Sequence, residues 1–506
     1  MAQALGNGAA TIEDAVLEER RHPMRILLML TGVALLTTYV ETMVIPGVPT
    51  IQKDFNTTKN ITAWITSAML IVGSAIAPIF GKLGDTYGKK KMYLVAMAFY
   101  TVGVGTAGFS PTIYFLIAAR AVQGAGFAIM PLAMAIITDV FPKERVAMAQ
   151  GVISGTFAIG ASAGLIVGSY VVQDLGWQWA FHTAFVLSIL LFLMVMKVIK
   201  ADKPGVKESV DYTGATILMA GITLVLIYLT EGPTIGWYSL ENLAFLAPGL
   251  FLTAFFFYYE SGKATPLIHV SILKIPNIFI SNIIGLVSGI VMFLLFFGVI
   301  YYAELLSPFG LGLDIISAGL VLAPATIVML VVGPFLGRMT SRFGPRPVLI
   351  FGAIVSALGM ILFIDHRGAT GDLTLDSAVT FIGMVAIIIP IVNMISISLP
   401  RENVAVGLGM NTMLRNVGGA IGPVLSTTIM TTYTTPLKEL VQGVPVTVAE
   451  LPSSYAFNLI FEVALVLMVA MGVMSLFVRN YTFRKVSVNS AAPEVQGTEA
   501  KGSQNP

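Results

Sequence analysis

Long apolar runs separated by short polar breaks recur along the whole chain. Fourteen runs of about 20 mostly apolar residues can be marked, the length a helix needs to cross a bilayer. They cover Arg25–Pro49, Ile61–Phe80, Met92–Phe109, Thr112–Thr138, Ala147–Val171, Trp179–Val198, Thr213–Thr230, Glu241–Tyr259, Asn277–Tyr302, Ile315–Leu336, Val348–Ile364, Leu375–Leu399, Val404–Met430 and Tyr455–Val478. Each is predicted to be a transmembrane helix, because a backbone in hydrocarbon must satisfy its own polar groups. Met1–His22 and Asn480–Pro506 are polar and are expected outside the membrane, the second as a disordered tail rich in Ser, Asn, Gln and Gly. The first run is too long and begins too late for a cleaved signal peptide.

Composition sharpens that pattern. Of 506 residues, 56% are hydrophobic and only 11% are charged, against roughly 25% charged in a soluble protein. A soluble enzyme, a disordered protein and a disulfide scaffold are disfavoured together. A net charge of +2 leaves no nucleic-acid footprint. The absence of cysteine removes disulfides, thiol nucleophiles and Cys-ligated zinc. The placement of bases sets an orientation. With both ends cytoplasmic, only Lys53, Lys59, Arg367 and Lys438 of the 29 bases face outward, and Arg120 and Arg415 lie within spans. The rest fall in cytoplasmic segments or at their edges.

The chain also repeats itself. Gly81-Lys82-Leu83-Gly84-Asp85-Thr86-Tyr87-Gly88-Lys89-Lys90 follows the second run, and Gly337-Arg338-Met339-Thr340-Ser341-Arg342-Phe343-Gly344-Pro345-Arg346 follows the tenth, 256 residues later. Both carry Gly at the first and eighth places and bases at the second and tenth, and Pro78 and Pro334 precede each first Gly by three. The expected fold is an all-α polytopic membrane protein: two pseudo-symmetric six-helix bundles with two extra helices between them. The expected divisions are a cytoplasmic tail (1–24), a first bundle (25–200), the inserted pair with its linkers (201–275), a second bundle (276–478) and a cytoplasmic tail (479–506). Bundles related in this way rock around a site at their interface.

The Gly81–Lys91 loop has a physical logic. Gly81 and Gly88 permit a tight turn, Asp85 can face a helix N-terminus or a base, and Lys89, Lys90 and Lys91 hold the loop in the cytoplasm. This loop resembles the signature of the major facilitator superfamily, Gly-x-Leu-x-Asp-x-x-Gly followed by two bases. In the fourth run Arg120, Gln123, Gly124 and Gly126 resemble the Arg-x-x-Gln-Gly-x-Gly pattern of that family's drug antiporters. Phe141-Pro142 with Arg145, and Asp211-Tyr212-Thr213-Gly214, look like the same family, and fourteen spans resemble its larger drug:proton antiporter branch. The fifth run carries a ladder of Gly160, Gly164 and Gly168, with Leu165 and Ser169 where that branch has Pro and Gly. It serves close helix packing at least as readily as it marks antiport. In the first run Val40 stands at the branch's acidic position and Glu41 beside it. Ser341 replaces the acid in the second loop, so the resemblance implies that gating electrostatics sit mainly in the first half.

An ionisable residue deep in a span is costly and is a functional candidate. Glu41 and Arg120 each lie ~12 Å below the outer surface at the helical rise, and are expected to share a depth and a cavity. Such a pair can carry proton coupling, or it can be a static ion pair that fixes packing. Arg415, in Arg415-Asn416-Val417-Gly418-Gly419, could bind backbone carbonyls or substrate. Glu462 reads as structural before functional. Gln123, Asn393 and Asn411 are interhelical hydrogen-bonders first. Gly103-x-Gly105-x-x-Gly108 reads as helix packing, because no strand precedes it. Asn56-Thr57-Thr58 and Asn60-Ile61-Thr62 are glycosylation sequons in an outside loop. No Gly-x-x-x-x-Gly-Lys-Ser/Thr loop is present for an ATP-driven pump.

The function these features imply is secondary active transport at the cell membrane. A monomer in the lipid bilayer is expected to move an amphipathic or cationic small molecule against protons. No catalytic residues, no metal, no nucleic-acid partner and no cofactor beyond the proton gradient are expected. A proton-coupled importer and a non-transporting sensor are the alternatives.

Overall fold

In the computed structural model residues 23–199, 211–263, 266, 270–399, 404–441 and 444–480 are described. The two tails, apart from their membrane-proximal ends, lie outside these residues. The helices are α1 (Pro23–Met43), α2 (Val48–Asp54), α3 (Lys59–Tyr87), α4 (Lys89–Gly108), α5 (Ile113–Gln123), α6 (Ile129–Val140), α7 (Lys143–Leu175), α8 (Trp177–Val198), α9 (Tyr212–Ile235), α10 (Leu240–Ser261), α11 (Val270–Leu273), α12 (Pro276–Glu304), α13 (Ile315–Phe343), α14 (Pro345–Asp365), α15 (Thr370–Ser398), α16 (Val404–Thr432) and α17 (Ser454–Leu476). Each predicted apolar run is helical. Among the described residues, eleven helical segments are long and apolar enough to cross a membrane. Three others fall below that measure. Lysines open α4, Asn411, Arg415 and Asn416 interrupt α16, and in α7 the segment Ile159–Leu175 counts as a shorter apolar helix among the described residues.

Two spans are broken where a straight helix was expected. The first passes from α1 through a 3₁₀ turn at Ile45–Gly47, where Pro46 lacks a backbone N–H, into α2. The fourth passes from α5 through a 3₁₀ segment, Gly124–Ala128, into α6. The signature loops are shorter than expected. Gly81 and Gly337 lie inside α3 and α13 with open space around them, so neither makes a turn. The turns fall at Gly88 and Gly344, with φ of 105° and 87°. Both are conformations that favour glycine.

The two halves also pack alike. Gly160, Gly164 and Gly168 bring α7 against α1, and Gly289, Gly418 and Gly422 bring α16 against α12. Across the halves, α3 packs on α16 and α7 on α13. The inserted helices α9 and α10 form a hairpin: Gly221 sits on Thr253, and Gly249 lies 3.0 Å from the Val225 nitrogen, measured from a Cβ placed on it. One edge of α9 touches both α3 and α16. The long loop before α17 is an antiparallel hairpin that the sequence reading missed: β1 (Thr434–Val441) and β2 (Val444–Pro452), with a bulge at Leu437/Lys438.

Candidate transport site between the two halves

The side carrying Gly88, Phe141–Arg145 and Gly344 is here the loop side; the opposite side is the far side. Glu41 lies on the last turn of α1, just before the break at Ile45–Gly47, and is partly buried. Arg120 is on α5 and fully buried. Its Nη1 donates to the Val40 carbonyl at 3.3 Å, which puts it level with Glu41. It gives further donors to the protein as well. Nη1 also donates to Gln123 Oε1 at 2.8 Å, and Nε to the Ile65 carbonyl at 3.1 Å. Its Nη2 is buried and has no hydrogen-bond partner among the described residues, and the guanidinium lies 6.0 Å from the Phe181 ring centre. Gln123 Nε2 donates to the Gly103 carbonyl at 3.0 Å. Arg120 and Gln123 therefore tie together α1, α3, α4, α5 and α8. Gly124 and Gly126 let the chain pass within contact of Met69 and Tyr100.

The Arg120 bond to the Val40 carbonyl sets its guanidinium at the level of Glu41, and among the described residues no direct ion pair joins the two. Arg415 and Arg120 both lie within electrostatic range of the Glu41 carboxylate. Arg415 was a secondary candidate in the sequence. Its helix, α16, packs on α3 of the first half, where a Cβ on Gly419 would lie 3.2 Å from Leu70. Arg415 also borders a cavity of ≈ 80 Å³, with Ser288, Asn411 and Thr412 as its polar wall and Ile388, Ile391, Val392 and Leu408 as its apolar wall. Asn411 Nδ2 donates to the Ser281 carbonyl at 2.8 Å.

The glycine ladder acts on the same site. A Cβ on Gly168 would meet Met43 Cα at 2.7 Å, and one on Gly164 would meet Thr42, Tyr39 and Met43. Thr42 Oγ1 donates to the Ala161 carbonyl at 3.1 Å. The ladder thus fixes the turn of α1 that carries Glu41. Glu462 is not brought to this site; it is exposed on α17. The Gly103, Gly105 and Gly108 motif packs on Gln123, Phe185 and His182, as expected for a helix interface.

On the loop side the side chain of Asp85 lies outside the described residues. Lys89 pairs with Asp139 at the end of α6, at 2.7 Å. Asp139 was missed, although it stands just before Phe141-Pro142. On the far side the halves are joined by hydrogen bonds. Thr62 and Tyr301 hydroxyls are 2.9 Å apart, Tyr301 donates to Gln52 at 3.1 Å, and the Ile316 N–H donates to Gln173 at 2.9 Å. Nearer the middle, Ser67 donates to the Ala420 carbonyl at 2.6 Å and Ser162 to Thr326 at 2.7 Å. Asn60 is 5% exposed with both amide atoms engaged, so in this conformation its sequon is closed to glycosylation; Asn56 is exposed. Among the described residues no group of three or more acids and histidines could hold a metal.

A multi-spanning helical protein, with two halves built alike around buried charges, has the architecture of a membrane transporter. The chain belongs to the Major Facilitator Superfamily, whose family model matches residues 30–423 and again 310–498. It is 26% identical over 409 residues to the tetracenomycin C resistance and export protein of Streptomyces glaucescens, covering 80% of this chain and 75% of that protein. It is 24% identical over 435 residues to the lincomycin resistance protein LmrB of Listeria monocytogenes, covering 85% and 92%. The fold resembles the crystal structure of the human organic anion transporter MFSD10 (TETRAN), with a TM-score of 0.56 and 13% identity, over 89% of this chain and 99% of that one. The family and the relatives named are transporters rather than enzymes.

Proposed function

We propose that this transporter exports amphipathic or cationic small molecules in exchange for protons, by alternating access. Glu41 is the coupling acid and the contact for a substrate's positive charge. Arg120 holds it at working depth, and Arg415 supplies the competing charge from the other half. The observation that carries this reading is the position of Glu41, partly exposed on α1 just before the break at Ile45–Gly47 and level with the buried Arg120, which donates to the neighbouring Val40 carbonyl. Export fits the resistance and export roles in the names of the relatives.

In this reading fourteen spans cross the cell membrane, with residues 25–200 and 276–478 as the moving bundles and 201–275 as the inserted pair. Both ends and the loop side are cytoplasmic, and one chain suffices. The conformation is then the one shut on the outside. Gly81, Asp85, Gly88, Lys89 and Lys90 form the cytoplasmic latch of the first half.

The test is the direction of flux. Purified protein in liposomes, given ethidium and an imposed pH gradient, is expected to move the dye against the proton flow. Dye moving with the protons would overturn antiport in favour of import, and a rate equal to protein-free liposomes would overturn transport of such cations.

A further inference from the structure

We propose that the inserted hairpin is a clamp on the far-side seam, set by one proline. Pro233 lies inside α9. Proline has no backbone N–H, so the carbonyl four residues earlier, that of Leu229, loses its helical partner. In a membrane span such a carbonyl must be satisfied from elsewhere. The partner is Thr428 on α16, whose hydroxyl donates to the Leu229 carbonyl at 3.0 Å. Thr428 is 3% exposed, so water does not substitute for it.

The same turn of α9 is held by the first half. Asn60 Nδ2 donates to the Thr230 carbonyl at 2.9 Å, and Trp64 Nε1 donates to the Thr230 hydroxyl at 3.1 Å. Asn60 and Trp64 are four residues apart and so share a face of α3. Asn60 also receives a bond across the seam, from Thr431 Oγ1 at 3.0 Å. Two side-chain hydrogen bonds hold this turn to α3 and one holds it to α16, while α9 packs equally on both. The hairpin travels with the first half and grips the second through Leu229. Any opening between α3 and α16 strips the Leu229 carbonyl of its donor. The orphaned carbonyl is thus created by opening, and its cost biases the protein toward the closed far side. This inference rests on the alternating-access reading above.

The chain has no cysteine, so a single reporter can be placed without background. Ala420 is buried in the seam, where its carbonyl accepts from Ser67. In the Ala420→Cys protein, in nanodiscs, the rate of modification by a water-soluble maleimide reads opening. Thr428→Val removes the donor. Pro233→Ala restores an N–H to Leu229 in both states. Each is expected to speed labelling by a similar factor, about 3- to 20-fold for an interhelical bond in a membrane. The double variant is expected to be no faster than either single one, and Thr428→Ser is expected to label like the parent. Because Pro233→Ala tests the same carbonyl from the other side, the result stands even if Thr428→Val does not fold. Labelling unaffected by Pro233→Ala, or rates that multiply in the double variant, would overturn the clamp while leaving alternating access intact. No labelling in any variant would overturn the alternating access on which the clamp depends.

Discussion

Substituting Gly164 by alanine tests how packing serves the charged site. The added Cβ would lie 2.5 Å from the Tyr39 carbonyl oxygen and 3.0 Å from the Met43 nitrogen, where ordinary contact begins at 3.4 Å. Both are backbone atoms and cannot rotate away, so α7 and α1 must separate by about 1 Å to regain van der Waals distance. Overpacking of this kind costs about 1–3 kcal/mol. Gly155 lies on the same helix with nothing within 4 Å of its built Cβ. Gly155→Ala therefore shares the change in helix propensity but not the collision, and the difference between the two variants isolates the contact. Thermal unfolding in detergent micelles is expected to place Gly164→Ala below Gly155→Ala by that amount. Because Tyr39–Met43 brackets Glu41, Gly164→Ala is also expected to slow uphill dye export, with Gly155→Ala close to wild type. Equal melting temperatures and equal export in the two variants would refute the argument that the ladder sets the position of Glu41.

Three further outcomes are expected. Arg120→Ala removes the donor to the Val40 and Ile65 carbonyls and to Gln123, and should lower stability by about 1–3 kcal/mol, as for buried polar groups that lose a partner; normal unfolding with lost export would mean that the residue acts on substrate rather than on packing. Lys89→Ala removes a partly exposed pair with Asp139 worth less than about 1 kcal/mol, so unfolding should be unchanged, and a drop in export there would be a gating effect. Asp314 caps α13, and hydrogen bonds from the Ser317 hydroxyl first, then from Gln173 and the Ser317 N–H, hold its carboxyl below the usual 3.8. Its contribution to stability is therefore complete above that value and is lost as pH falls through the lower folded one; a stability gap between wild type and Asp314→Asn should close on acidification, and a gap that widens would contradict the cap.

Most spans were legible because hydrophobic content alone decides what lies in hydrocarbon: among the described residues eleven helical segments are long and apolar enough to cross a membrane. Their ends were not, since α3 and α13 continue through Gly81 and Gly337 into polar sequence that propensity alone does not stop. The broken fourth span was hidden for the opposite reason: Gly124–Ala128 is as apolar as its neighbours, and the close approach of Met69 and Tyr100 to its glycines is a tertiary contact that no local pattern encodes. The hairpin β1–β2 escaped notice because alternation over eight residues is weak beside a span. Of the candidate site, Glu41 and Arg120 could be paired by counting residues from the helix ends. Arg415 could not, because its closeness to Glu41 depends on how the halves pack, and no local pattern encodes that. Arg367 was read as a topological base; it is 8% exposed and bonded to the Phe363 and Ser454 carbonyls, tying α14 to α17.

The central claim is that Glu41 exchanges a proton for substrate, and proton release on binding tests it most directly. Purified wild type in weakly buffered detergent solution, titrated with ethidium, is expected to release protons as the dye binds, read with a pH-indicator dye. Glu41→Gln is expected to release none while remaining folded. Equal release from Glu41→Gln and wild type would contradict the account.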